Sequence, residues 1–372
     1  MKSLTLPLFL VFLFLIGCSN DPDEPQIQNE CFDEYFASNS PQRNFRMGFS
    51  TWNYGPDLED INDTYSFIGK NADIYSEQVD DVIPWNSWIN DEDLPSQFIA
   101  QIEGKVSRRI PNHQLLLSVS LLNTNRDDLI EGFDGKTPVY DALNDPTIQS
   151  AYLKHLKYLI DKMNPDYLII AMEANDLYLK DANKWMEYKS LMTNIRKEIR
   201  SDYPTIQISE SMTLHNWYNP DTEKSTEYIS EIASYIEELD FASISFYPFF
   251  KAQNTPSQYQ EALDFLHNQI SIPIAMVETA HLAEDLNVPR INLSLPSDAC
   301  QQNDYLEVLL ENAQQEKYEF VIWWTHRDYD ELWNTFPEEL KEIGGLWKDT
   351  GLLDENGEER VAFDTWKSIF MK

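Results

Sequence analysis

Two short apolar runs in this chain each end on a glutamate. Ile272 to Val277 leads into Glu278, and Tyr167 to Met172 leads into Glu173. Runs of this length, bounded by turn residues, read as strands buried on both faces, as in parallel sheets. A third run, Phe241-Ala-Ser-Ile-Ser-Phe-Tyr-Pro248, ends on a tyrosine, Tyr247. A charged group at the carboxyl end of a buried parallel strand stands where a barrel presents its reacting groups. Two such carboxyl groups can share acid/base and nucleophilic work at a glycosidic bond. A separation of about 5 to 5.5 Å goes with retention of configuration, and one of about 6.5 to 9.5 Å with inversion. A strand must also end somewhere, and one glutamate there can be merely its first solvated residue. The repetition of the design argues for chemistry.

Aromatic residues gather near the same strand ends: Trp52 and Tyr54, Trp85 and Trp88, Trp217 and Tyr218, Tyr247, Trp323 and Trp324. Flat apolar rings with polar tips suit the faces of sugar rings and leave the hydroxyls free to be hydrogen-bonded. Trp52, Trp324, Trp85 and Tyr247 are the residues expected to line a cleft, and the others cap the core. Asn175, two residues after Glu173, and His281, three after Glu278, are further candidates for substrate contact. Glu77, Asp80 and Glu210 also reach strand ends. They read as surface or supporting groups, Glu210 being the nearest rival to Glu173. No metal or cofactor is expected: Cys18, Cys31 and Cys300 lack zinc spacing, no glycine-rich phosphate loop follows a strand, and no G-x-S-x-G elbow occurs.

Eight strands must position these groups: Arg46 to Trp52, Ala72 to Glu77, Gln114 to Ser120, Tyr167 to Met172, Thr205 to Glu210, Phe241 to Phe246, Ile272 to Val277 and Glu319 to Trp324. Between them lie helical patterns such as Ala151 to Ile160 and Tyr228 to Ile236, with apolar residues at helical spacing. Strands alternating with helices call for an α/β protein, and eight such units for a (β/α)8 TIM barrel over residues 45–372. A distorted or incomplete barrel is the second choice.

Val277-Glu-Thr-Ala280, Ser245-Phe-Tyr-Pro248, Trp323-Trp324 and the closing stretch from Thr350 to Trp366 resemble the clan A glycoside hydrolases. The pattern is most similar to the endo-β-1,4-galactanase family, family 53. The resemblance implies that Glu173 is the acid/base, that Glu278 is the nucleophile, and that Tyr247 orients Glu278. Two positions depart from the pattern. Met172 stands where an asparagine usually bonds the sugar 2-hydroxyl, and the second strand region, Ala72 to Glu77, lacks the usual arginine. Asn175 or Glu210 is expected to supply the missing contact.

The chain opens with Lys2, an apolar run from Leu4 to Ile16 too short to span a membrane, and Leu15-Ile-Gly-Cys18, which resembles a bacterial lipobox. Residues 1–17 read as a lipoprotein signal peptide, with Cys18 the lipidated residue that anchors the protein to the membrane. Residues 18–44 form an acidic, proline-punctuated tether of the kind that keeps a lipoprotein at the bacterial outer membrane, facing the cell surface or the periplasm. Cys31 and Cys300 then remain as an even pair in an oxidising compartment and are expected to bond. The net charge is −35, which argues against nucleic acid and anionic polysaccharide and in favour of a neutral glycan. These features point to a surface-anchored, retaining glycoside hydrolase. A carbohydrate-binding lipoprotein that keeps the barrel without turnover is the alternative, and a pure protein scaffold a third.

Overall fold

A computed structural model describes Cys31, residues 41–288 and residues 293–372, apart from the side chain of Glu339. The expected leader, Cys18 and most of the tether lie outside the described residues.

Nine parallel strands form the main sheet. They are β1 (Arg46–Ser50), β2 (Ile74–Val79), β3 (Gln114–Val119), β4 (Tyr167–Ile169), β5 (Gln207–Ser209), β6 (Ser211–Thr213), β7 (Ala242–Phe246), β8 (Ile274–Thr279) and, after a small antiparallel pair β9 (Leu286–Val288) and β10 (Leu293–Leu295), β11 (Phe320–Trp323). Their order is β5-β4-β3-β2-β1-β11-β8-β7-β6. The two end strands, β5 and β6, are separated in the chain by Glu210 alone. The first pairs with β4 (Leu168 opposite Ile208), the second with β7 (Met212 opposite Ile244). They are one broken stave, and the sheet closes across the break into a (β/α)8 barrel. The expected fifth strand, Thr205 to Glu210, is therefore split at its last residue and continued to Thr213.

Two cores follow from strand alternation. Ile74, Leu116, Tyr167, Ile169, Phe241, Ala275, Val277, Phe320 and Ile322 meet from strands all round the ring, which is possible only in the lumen. Their chain neighbours Tyr75, Leu115, Leu117, Leu168, Met276 and Val321 join the larger core between strands and helices. Gly48 has no room for a side chain, since a Cβ there would lie 2.1 Å from the Ile74 carbonyl oxygen. The helices form where periodicity places them. Pro146–Met163 starts with Asp145 accepting from the Thr147 N–H and Pro146 in the first turn. It buries Ile148, Ala151, Tyr152, His155, Leu156, Leu159 and Ile160, and stops at left-handed Asn164.

Two strand ends differ from expectation in ways that matter for the rim. β2 begins at Ile74, after Asp73, whose carboxylate accepts from the Met47 N–H and pairs with Arg43, and it runs on to Val79. β4 ends at Ile169, and the chain turns through Met172 into Glu173, whose φ is 53°.

Candidate active site at the barrel mouth

At the carboxyl end of the strands lies a cavity of about 380 Å³ lined by both Glu173 and Glu278. The two reach it by different devices. In β8 the pairing slips around Val277 and Glu278. Against β7, Ile244 faces Met276 but Ser245 faces Glu278; against β11, Val321 faces Met276 but Trp323 faces Thr279. One extra residue is thus inserted into β8. By simple alternation Glu278 would follow Met276 to the helical side; the bulge turns it to the lumen side directly after Val277. Glu173 arrives through its left-handed backbone, held by the bond from its N–H to Ser211 Oγ at 2.8 Å and the next, from Ala174 N–H to Ser211 O, at 2.9 Å. That conformation costs a non-glycine residue about 1–2 kcal/mol.

The carboxylates have unlike neighbours. Glu173 accepts from Arg126 at 2.9 Å and from the Ser245 hydroxyl at 2.8 Å. Burial pushes its pKa up, but Arg126, His215 and the Ser245 hydrogen bond outweigh burial and hold it below the ordinary value. Glu278 accepts only from neutral groups, the Tyr247 hydroxyl at 2.6 Å and the Gln78 amide at 2.5 Å. Burial and the negative charge of Glu173 push its carboxyl up to about 8, against the opposing Tyr247 bond. Near neutral pH the pair therefore holds one proton, and Arg126 favours the charge on Glu173.

No known family profile matches the sequence, and no curated protein matches it. Solved structures do match. A GH5_18 enzyme from Bifidobacterium longum subsp. longum, in complex with Manb1-4GlcNAc, superposes with a TM-score of 0.64 at 12% identity, over 88% of this chain and 78% of that one. The GH53 catalytic domain from Ignisphaera aggregans gives 0.59 at 15% identity, over 90% and 98%. An exo-beta-1,4-mannosidase from an Opitutaceae bacterium gives 0.58 at 12% identity, over 89% and 60%. The chain has the fold of the clan A glycoside hydrolases.

In this glycosidase-like barrel Trp52, Trp324 and Tyr247 line the cavity with the carboxylates. Three other expected contact residues do not. Asn175 is fully buried, its amide donating to Thr213 and to Tyr228 Oη, because it opens the helix Asn175–Lys180 and fastens it to β6. His281 is buried between the Tyr259 hydroxyl and the Leu282 carbonyl. Trp85 is buried and donates to the Ile130 carbonyl. Glu210, the rival to Glu173, faces the helices, bonded to Arg196, Tyr188 and Tyr235. Neither Asn175 nor Glu210 thus supplies the contact expected in place of an asparagine at Met172. Glu77 likewise turns outward, to Lys105, Tyr65 and Thr51.

Gln78, Thr124, Arg126 and a wall contributed by Tyr329, Phe336, Leu340, Ile343 and Trp347, none of them expected from sequence, line the cavity as well. Asp80, expected as a surface or supporting group, is exposed and also lines the cavity. Gln78 was findable: Ile74, Ser76 and Gln78 share one face of β2, and only the early strand end hid it. Arg126 sits on a loop with φ of 55° and carries no periodic signal. Among the described residues, Asp328, Asp330 and Asp349 come close enough to hold a cation. Lys348 already bonds Asp330 and Asp349, and Arg360 pairs with Asp328, so cations of the chain fill that place.

Proposed function

We propose that the protein is a glycoside hydrolase acting on a neutral glycan or glycoside through Glu173 and Glu278. The observation that carries this reading is the pair itself: two half-buried carboxyl groups brought to one cavity at the carboxyl ends of two strands, one by a bulge and one by a left-handed turn. Sugars bound to structural neighbours, such as the Manb1-4GlcNAc of the Bifidobacterium enzyme, support a carbohydrate substrate.

In the retaining scheme that the resemblance implies, the Glu278 carboxylate attacks the anomeric carbon. The bond from that carbon to the leaving oxygen breaks, and the leaving oxygen takes a proton from Glu173. Water, deprotonated by Glu173, then cleaves the glycosyl ester and restores both groups. Tyr247 and Gln78 hold Glu278 in line. These roles need the proton on Glu173 and the charge on Glu278, whereas Arg126 favours a charged Glu173 and burial a neutral Glu278.

A second reading, glycan binding without turnover, draws on that same ion pair and on Met172, a thioether that cannot donate to a 2-hydroxyl. Hydrolysis of 4-nitrophenyl glycosides of glucose, galactose and mannose separates the two. Glu173→Gln and Glu278→Gln are each expected to lower kcat by at least about a thousandfold, as loss of a group acting in the transition state does. Wild-type hydrolysis left intact in both variants would refute the carboxylate pair, and no hydrolysis by the wild type would favour the binding protein. The lipobox-like Leu15-Ile-Gly-Cys18 supports an outer-membrane lipoprotein as the setting.

A further inference from the structure

The cavity has two unlike sides. The barrel side carries Gln78, Asp80, Arg126, Glu173, Glu278 and Tyr247, and over it stand Trp52 and Trp324, whose indole N–H groups are buried with no partner. Another part of the wall comes from the segment after β11 and consists of Phe336, Leu340, Ile343 and Trp347. The Tyr329 hydroxyl on that side is already spent on the Gly344 carbonyl at 2.7 Å, leaving only the Trp347 indole N–H to donate.

Leu340 and Ile343 sit three apart on the helix Glu338–Gly344 and are 50% and 39% exposed. Of the seven large apolar side chains exposed among the described residues, these two alone line the cavity; Leu58, Val106, Val139, Met186 and Met371 lie elsewhere. A sugar unit against this wall would find almost no partner for the hydroxyls it turned inward, which disfavours its binding there. An apolar group there would bury both partners' surfaces at no such cost.

We propose that this wall is the leaving-group subsite and that the substrate is a glycoside with an apolar aglycone, aryl or alkyl, rather than a further sugar. The proposal rests on the hydrolase reading, since it takes the sugar to lie at the carboxylate pair. Calorimetry of the native protein with methyl, butyl and hexyl 1-thio-glycosides of glucose, galactose and mannose, which resist hydrolysis, tests it. Affinity should rise about three- to fourfold per methylene, the transfer value for a buried CH2. In Leu340→Asn/Ile343→Asn, both surface positions, the gain per methylene should vanish while the melting temperature holds. Affinity flat with chain length, or unchanged dependence in the double variant, overturns the subsite. So does no binding by any alkyl thioglycoside, whether or not thio-linked disaccharides bind. None of these outcomes touches the carboxylate pair, whose own failure would appear as undiminished hydrolysis in Glu173→Gln and Glu278→Gln.

Discussion

Arg126 and Glu173 both adopt left-handed backbone, φ 55° and 53°, and are joined by a 2.9 Å ion pair. Conformations this unfavourable persist where surrounding bonds over-determine them, and they cluster at functional sites. Here they place a fixed positive charge beside one carboxylate of the pair and none beside the other. The working form carries one proton, so activity must fall in acid as Glu173 takes a second and in alkali as Glu278, at about 8, loses the first. Arg126→Met removes the guanidinium that offsets burial at Glu173. The acid limb of kcat/KM against pH should then move up by about 1–3 units, the usual effect of an opposite charge at this range. Arg126 also lowers Glu278, so the alkaline limb should rise by less. An acid limb left in place would show that Arg126 does not set the charge of Glu173. Sequence revealed the two glutamates because each terminates an apolar run. It could not reveal Arg126, whose position depends on a loop with no period to read.

The stave broken at Glu210 shows how far element patterns carry. All eight expected strands exist, and the apolar runs located them; the pattern does not contain the contacts at their ends, such as those of the Asp73 carboxylate at the start of β2. Glu210 lies at the break and is fully buried among Arg196, Tyr188 and Tyr235, the first two on the helix Ala182–Asp202 and the last on Ser225–Ile236. It ties the split stave to two helices where ladder pairing changes from β4 to β7. Removing one partner of a buried ion pair strands the other without compensation, at a cost of about 3–5 kcal/mol. Glu210→Ala should therefore lower unfolding free energy in urea by about that amount, while folded protein below the transition keeps its affinity for thioglycosides. A loss under 1 kcal/mol, as for an exposed pair, would mean the closure does not depend on this network. Alternation gave the parity of Glu77 and Gln78 correctly once β2 is extended. It gave the wrong parity for Glu278, because a bulge is invisible in a run of Ile, Ala, Met and Val.

At the scale of the whole molecule, the disulfide fastens the lead-in to one end of the barrel. Cys31 is bonded to Cys300, with Cα atoms 5.5 Å apart, and the Cys31 carbonyl accepts from the Asn303 side chain at 2.9 Å. Cys300 lies in the first turn of the helix Ala299–Glu316, which follows β8 and returns to the start of β11, so that turn stands on the mouth side. The same turn reaches the end of β8 through Gln302, whose amide donates to the His281 carbonyl at 3.1 Å. Composition could suggest the cysteine pairing from parity, but only the fold shows that it fastens the lead-in next to the barrel mouth. From Cys18 to Cys31 the chain can span at most about 45 Å when fully extended. A lipid at Cys18 would thus hold the mouth close to the membrane, while a net charge of −35 disfavours lying flat on an anionic surface. Replacing Cys18 by Ala should move the protein from the membrane pellet to the soluble fraction and leave kcat on a soluble aryl glycoside unchanged, since the barrel and its disulfide remain. Continued sedimentation with membranes would rule out Cys18 as the anchor.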